Sequence, residues 1–350
     1  MNYGNRMKKI IFCLFSILLP FSCTQNNKTD RITYFSFDDF EKPIQLKGEI
    51  LNMDSLWKPT GIYCEDSLLI LVDNTTDCFV QIYHKDNLDK IAENIPRGIG
   101  PDERLNCWTL QMDSEYVWAF DMQLRKLTAY EKKDFYTESK IKPEKAVDFL
   151  EWPIAVVSLR NEKFVASCLT DETNLLSVFD ENANRDTTLS VDYPKLKHES
   201  IPDFLKKRSF ENRIFYDYRS NKIVVFYVYT DIIDVYDDEL KLIARIQGPD
   251  RFVPELKREN NHVSAIKNRT RIGYLNGAVT PSEIWALYYG IYPEPGKDLQ
   301  NRIFVFDYNG KPLRFYELEY PVFNFCIDEK NRLLYGLTEN PEISVVKFKY

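Results

Sequence analysis

The sequence predicts an all-β chain: a six-bladed β-propeller of four-stranded antiparallel blades, its ring closed by an N-terminal strand. Three observations carry this reading. A hairpin unit, Tyr116–Tyr130 (YVWAFDMQLRKLTAY), joins an apolar strand to an aromatic-ended one through a polar turn near Asp121–Lys126. It recurs as LLILVDNTTDCFVQIY from Leu68, VVFYVYTDIIDVY from Val224, IWALYYG with RIFVFD from Ile284, and LLYGLTENPEISVVKF from Leu333. Turns at Asp66, Asp113 and Arg160 are 47 residues apart by subtraction, and Ser282 to Glu329 repeats the interval, which is close to the period of a four-stranded blade. Finally, Leu68–Val72 and Ile223–Val228 are nearly continuous apolar runs. An antiparallel strand with one wet face should alternate, so such runs place inner strands between neighbouring blades.

Taken in order, Ile32–Phe37 and Ile44–Leu51 are strand candidates ahead of the repeats. Blade one is assigned Gly61–Cys64, Leu68–Val72, Phe79–Tyr83 and Leu88–Ile95. Blade two takes Leu105–Met112, Tyr116–Phe120, Leu127–Tyr130 and Phe135–Ile141, and blade three Pro153–Leu159, Phe164–Leu169, Leu175–Phe179 and Asp186–Val191. After a long link, Tyr193–Arg213, blade four takes Ile214–Tyr218, Ile223–Tyr229, Ile232–Tyr236 and Leu240–Ile246. A second insertion, Gly248–Thr270, precedes blade five: Arg271–Ala278, Glu283–Tyr289, Arg302–Asp307 and Leu313–Leu318. Blade six has only Val322–Asp328, Leu333–Leu337 and Ile343–Phe348. Its missing outer strand is expected from Ile44–Leu51, which would cover an otherwise open edge. Residues 32–350 are thus read as one propeller domain; five or seven blades stay open as alternatives because of the two insertions.

The first 22 residues read as a secretory leader. Lys8 and Lys9 precede the apolar Ile10–Leu19, which is too short for the roughly 20 residues that span a bilayer. Leu19–Cys23 (LPFSC) resembles a bacterial lipobox, with Ser22 directly before Cys23 and Pro20 where Leu is usual. Cys23 is the expected lipid attachment site, residues 23–31 a tether, and acyl chains the membrane anchor. The absence of Asp after Cys23 implies, by the same resemblance, the outer membrane. Loss of Arg6, Lys8 and Lys9 with the leader moves the net charge from −7 to −10. This acidic balance argues against nucleic acid as a partner.

Cys64, Cys78, Cys107, Cys168 and Cys326 form no obvious disulfide framework. The strand Leu68–Val72 would hold Cys64 and Cys78 about 15 Å apart, beyond disulfide reach, so the cysteines read as small buried hydrophobes. The three histidines, His84, His198 and His262, do not cluster as metal ligands would. There is no Gly-x-Ser-x-Gly elbow or His-Glu-x-x-His, and the acidic pair Asp237–Asp238 falls in a hairpin turn, where Asp makes local hydrogen bonds. No catalytic residue, metal or cofactor is expected.

The sharpest local motif is Arg97–Glu103, RGIGPDE, between blades one and two. Its glycines suit a turn, and no Gly-Lys-Ser/Thr marks it as a phosphate loop. The motif together with the repeat resembles the TolB-like and NHL-like six-bladed propeller lipoproteins of Gram-negative envelopes. Those often carry a Gly-x-Gly-Pro-Gly-Glu turn, matched here by Gly98, Gly100, Pro101 and Glu103, with Asp102 in place of the last glycine. The resemblance implies the fold and an envelope address; function does not follow from fold.

Binding residues are expected on connections at one mouth of the ring. The candidates are Arg97 and Glu103 of the motif, Asp121 of the hairpin unit, Phe204 and Arg208 in IPDFLKKRSFENR, and Tyr289 and Tyr292 in YYGIYPEPG. Aromatics with interspersed cations suit sugars, peptides or an acidic partner. The expected function is an envelope binding module for a protein, glycan or peptide. The alternative is a polysaccharide- or peptide-processing lyase or hydrolase acting in the central channel.

Overall fold

The expected hairpins pair in a computed structural model that describes residues 32–53, 56–196, 201–259, 262–292 and 300–350. The predicted leader, tether and Cys23 lie outside these residues. Six antiparallel sheets follow one another along the chain, each running from an inner to an outer strand. Blade one is Pro59–Glu65, Leu68–Asp73, Cys78–His84 and Lys90–Pro96. Its second and third strands are almost wholly buried, as the continuous apolar runs require. Apolar side chains fill the gaps between neighbouring blades in six clusters.

Ring closure divides the N-terminal stretch. Ile44–Leu46 runs parallel to the outer strand of blade five, Ile44 beside Tyr316 and Leu46 beside Leu318. Gly48–Leu51 then pairs antiparallel with the last strand, Ser344–Lys349, with Phe348 opposite Gly48 and Val345 opposite Leu51. Glycine is required at the junction, because a Cβ at Gly48 would lie 2.7–2.8 Å from Tyr320, Val346 and Phe348. Ile32–Tyr34 adds in parallel to the outer strand of blade four. Phe35 and Phe40 then wedge against Phe304 and Phe306 of blade five.

Blade two departs from expectation. Phe135–Ile141 is not its outer strand: Lys132–Thr137 is a short helix, and the outer strand is Lys145–Asp148. Phe135 is buried against Tyr130, an apolar contact that a helix satisfies as well as a strand. The buried amide of Asn94 donates to the carbonyls of Phe135 (2.8 Å) and Glu138 (2.9 Å) and accepts from Ile141 N (3.0 Å). These bonds satisfy backbone groups left free at the helix end. The link before blade four holds a helix, Asp203–Ser209, and the insertion before blade five a hairpin, Leu256–Glu259 with His262–Ala265.

Candidate functional site

Strand direction decides which connections share a mouth. In every blade, the link from the outer strand to the next blade leaves from the same end as the turn between strands two and three. Pro59 pairs with Asp73, and Cys78 with Pro96, at that end of blade one. By the same register, all seven sequence candidates belong to one mouth, but they serve different ends there.

The RGIGPDE segment is a self-bonded turn. Gly98 N donates to Arg104 O (2.9 Å), Arg104 N to Pro96 O (2.9 Å) and Gly100 N to the Glu103 carboxylate (2.8 Å). Gly98 has a φ of 155°, and a Cβ there would sit 1.9 Å from Glu103 Oε2. Arg97 stacks 4.6 Å over the Phe79 ring and donates to the carbonyls of Asn74 and Thr76. Asp121 is buried and accepts from the backbone N–H groups of Leu105 (2.7 Å), Asn106 (3.2 Å), Gln123 (2.9 Å) and Leu124 (2.9 Å). Tyr289 is buried, whereas Tyr292 is 43% exposed. Phe204 lies on the short helix. Arg208 is exposed, pairs with Glu211 and stacks 5.4 Å from the Tyr229 ring.

Three residues that the sequence reading passed over dominate this mouth. Trp57, Trp108 and Trp152 lead into the inner strands of blades one, two and three, and they are 70%, 44% and 44% exposed. Arg213, on the inner strand of blade four, reaches to 5.8 Å from the Trp108 ring, which ties blade four to blade two across the opening. It is also 3.7 Å from Glu211. Arg125, in the turn of blade two, lies 5.6 Å over Trp152 and donates to Leu150 O (2.8 Å). Both guanidinium–indole spacings are within cation–π range. Ile99, Leu150 and Leu169 are also exposed on these connections.

Aspartates at the ends of second strands set these tryptophan-bearing links. Asp73 accepts from Lys58 N (2.7 Å), directly after Trp57, and Asp121 grips Leu105 and Asn106, just before Trp108. Trp108 N itself donates to Phe120 O (2.8 Å). Asp121 is therefore a positioning residue for the mouth. The useful sequence signal was an indole placed just before each of three inner strands.

Beneath the Asp203–Ser209 helix, buried Lys207 donates to Ser167 Oγ (3.2 Å), which also accepts from Asn212 (3.1 Å). Burial brings the Lys207 ammonium down to about 8. Nearby, Asp171 receives Asn174 N (2.9 Å), Thr173 and Arg185; these bonds outweigh its burial and hold its carboxyl below the usual range.

The opposite face carries an open cleft of about 690 Å³ lined by Glu65, Glu115, Tyr116, Lys132, Lys133 and Tyr136, among others. Its central groups already satisfy one another: Lys132 and Tyr136 both bond to Glu65, and Lys132 Nζ also donates to Asp113 O at 2.6 Å. His84 and His262 are exposed, and Asp237 accepts from Glu239 N and Lys241 N in its own turn; His198 lies outside the described residues. Among the described residues, no three His, Cys, Asp or Glu side chains converge as a metal site.

This ring of six blades belongs to the TolB-like 6-blade propeller-like family, whose model matches residues 38–330. Among solved structures, it is similar to a DUF4221-family member from Bacteroides vulgatus at 10% identity and TM-score 0.57, covering 88% of this chain and 96% of that one. It is also similar to a protein described as exported, from Bacteroides fragilis, at 13% identity and TM-score 0.55, covering 91% and 97%. At such identities the likeness is one of fold. No functionally curated protein matches the chain.

Proposed function

We propose that this chain is a lipid-anchored protein of the cell envelope whose propeller binds a protein, glycan or peptide at the tryptophan-bearing mouth. One observation carries the reading: Trp57, Trp108 and Trp152 stand exposed at the starts of three consecutive inner strands, two of them under guanidinium groups. Isolated exposed hydrophobes are ordinary, but a cluster rimmed by polar groups marks an interaction surface. Indole faces stack on sugar rings and peptide side chains, while Arg125, Arg208 and Arg213 offer planar donors to carboxylates. The basic and apolar leader, the lipobox-like LPFSC and the exported description of the Bacteroides fragilis structure support the envelope address. Acyl chains on Cys23 supply the membrane contact, with the outer membrane as destination.

The chain from Thr24 onward, tested on glycan and peptide arrays, should bind one ligand class and lose at least about tenfold in affinity on Trp108→Ala or Arg213→Ala. Binding indifferent to both changes, or turnover of the bound glycan or peptide, sinks the binding reading. In cells, Cys23→Ala should release the protein from the membrane fraction; retention there rules out the anchor.

A further inference from the structure

The ring closes where the inner strand of blade one, Pro59–Glu65, lies beside that of blade six, Asn324–Asp328. Alternate residues of each strand face this seam. Asn324 Nδ2 donates to Thr60 O (2.9 Å), and Lys85 Nζ meets Asp328 at 2.6 Å with both side chains buried. Ile62, Cys326, Tyr335, Leu337 and Val345 fill the space between, and Cys64 packs against them. Cys64 and Cys326, two residues beyond Ile62 and Asn324 respectively, thus stand on adjacent inner strands and pack in one and the same cluster. Cys107 and Cys168 instead belong to the clusters between blades one and two and between blades two and three, and Cys78 starts its strand at the opposite end of blade one from Cys64.

We propose that Cys64 and Cys326 are a redox pair that stitches blade six to blade one through a disulfide when the chain meets a small-molecule disulfide oxidant. Cys64 is partly exposed and Cys326 buried, which sets the order of events. The Cys64 thiolate attacks the oxidant RSSR, forms a mixed disulfide and expels one RS⁻. Cys326 then gives its proton to solvent base and attacks the Cys64 sulfur, expelling the second RS⁻. Two protein thiols become one disulfide, and RSSR takes up the two electrons and two protons as two RSH. Burial raises the Cys326 thiol, and the neighbouring Cys64 adds to the rise. The second step is therefore the slow one, faster as pH rises, because only the thiolate is the nucleophile. The product links the two ends of the blade array, closing the chain between residues 64 and 326, so it restricts a long loop in the unfolded state.

The pair depends on the seam alone and not on what the mouth binds. The test uses the purified chain from Thr24 onward, held with oxidised glutathione at mildly alkaline pH. Remaining thiols are then alkylated under denaturing conditions and the digest mapped by mass spectrometry. The expected result is one cross-link, Cys64 to Cys326, with Cys78, Cys107 and Cys168 alkylated and Tm raised by about 5 °C until reductant is added. In Cys326→Ser, glutathione should stay on Cys64; Cys64→Ser gives a second control in which Cys326 stays alkylated. Glutathione trapped on Cys64 of the unaltered chain beside an alkylated Cys326, or an alkylated Cys64 after prolonged exposure, overturns the pairing.

Discussion

Arg245 holds Asp234 through two parallel bonds inside blade four, Nε to Oδ1 at 2.7 Å and Nη2 to Oδ2 at 2.8 Å. Tyr227 and Tyr236 donate to the same carboxylate at 2.7 and 2.8 Å. The cluster is buried on every side, so its charges depend on one another. Asp234→Ala removes the carboxylate that receives both of these guanidinium bonds and both tyrosine hydroxyls, and should lower unfolding free energy by about 3–5 kcal/mol, measured by denaturant titration. A loss below about 1 kcal/mol would show that water reaches Arg245.

Asp231 gives the fold a pH dependence. Its carboxyl accepts from the N–H of Asp250 (3.0 Å) and Arg251 (2.5 Å) and from Gln247 Nε2 (3.2 Å), but burial prevails and raises it to about 6. A raised acid binds its proton more tightly in the folded state. Its favourable contribution is complete below the ordinary carboxyl range and is lost as pH rises through about 6. The total change is roughly 2–3 kcal/mol. Asp231→Asn should flatten that part of the stability–pH curve; an unchanged slope between pH 4 and 7 would assign it to other groups.

The grip of Asp121 on the Trp108 link is open to measurement. Asp121→Ala removes a buried carboxylate that accepts from four backbone amides, those of Leu105 and Asn106 among them, and should cost about 1–3 kcal/mol. Hydrogen exchange at those two amides should quicken while amides of the opposite face keep their rates. Unaltered exchange would remove Asp121 as the positioning residue.

The latch makes a fourth prediction. Gly48→Val drives a side chain into Tyr320, Val346 and Phe348 and should cost about 1–3 kcal/mol. With Ser344–Lys349 left unpaired, an open edge results and self-association should rise, as light scattering would show. A monomer of native stability would mean that the junction yields.

Much of the ring was legible because its period becomes contact. Ser282 and Glu329, one interval apart, hydrogen-bond at 3.3 Å. Gln111 and Ser158, also one interval apart, exchange two bonds of 2.7 Å between blades two and three. Local pattern failed at Phe135, whose burial does not discriminate helix from strand, and at Lys47, where the predicted strand divides between two blades. The binding candidates all gathered at one mouth, because topology places equivalent connections together. Glu103 and Asp121 accept from backbone N–H groups, bonds that residue identity does not reveal. The exposed tryptophans were hidden among strand residues, and the cluster that Cys64 and Cys326 share joins opposite ends of the repeat array.

The parallel strand Ile32–Tyr34 bears on how such a ring would be tethered. With Cys23 acylated as proposed, any pull from the bilayer reaches this strand first and loads its bonds beside Arg245–Gln247. Ile44–Leu46 forms a second parallel clamp before the latch. Mechanical force is thus borne at the rim of blades four and five, and the join between first and last blades is shielded from it.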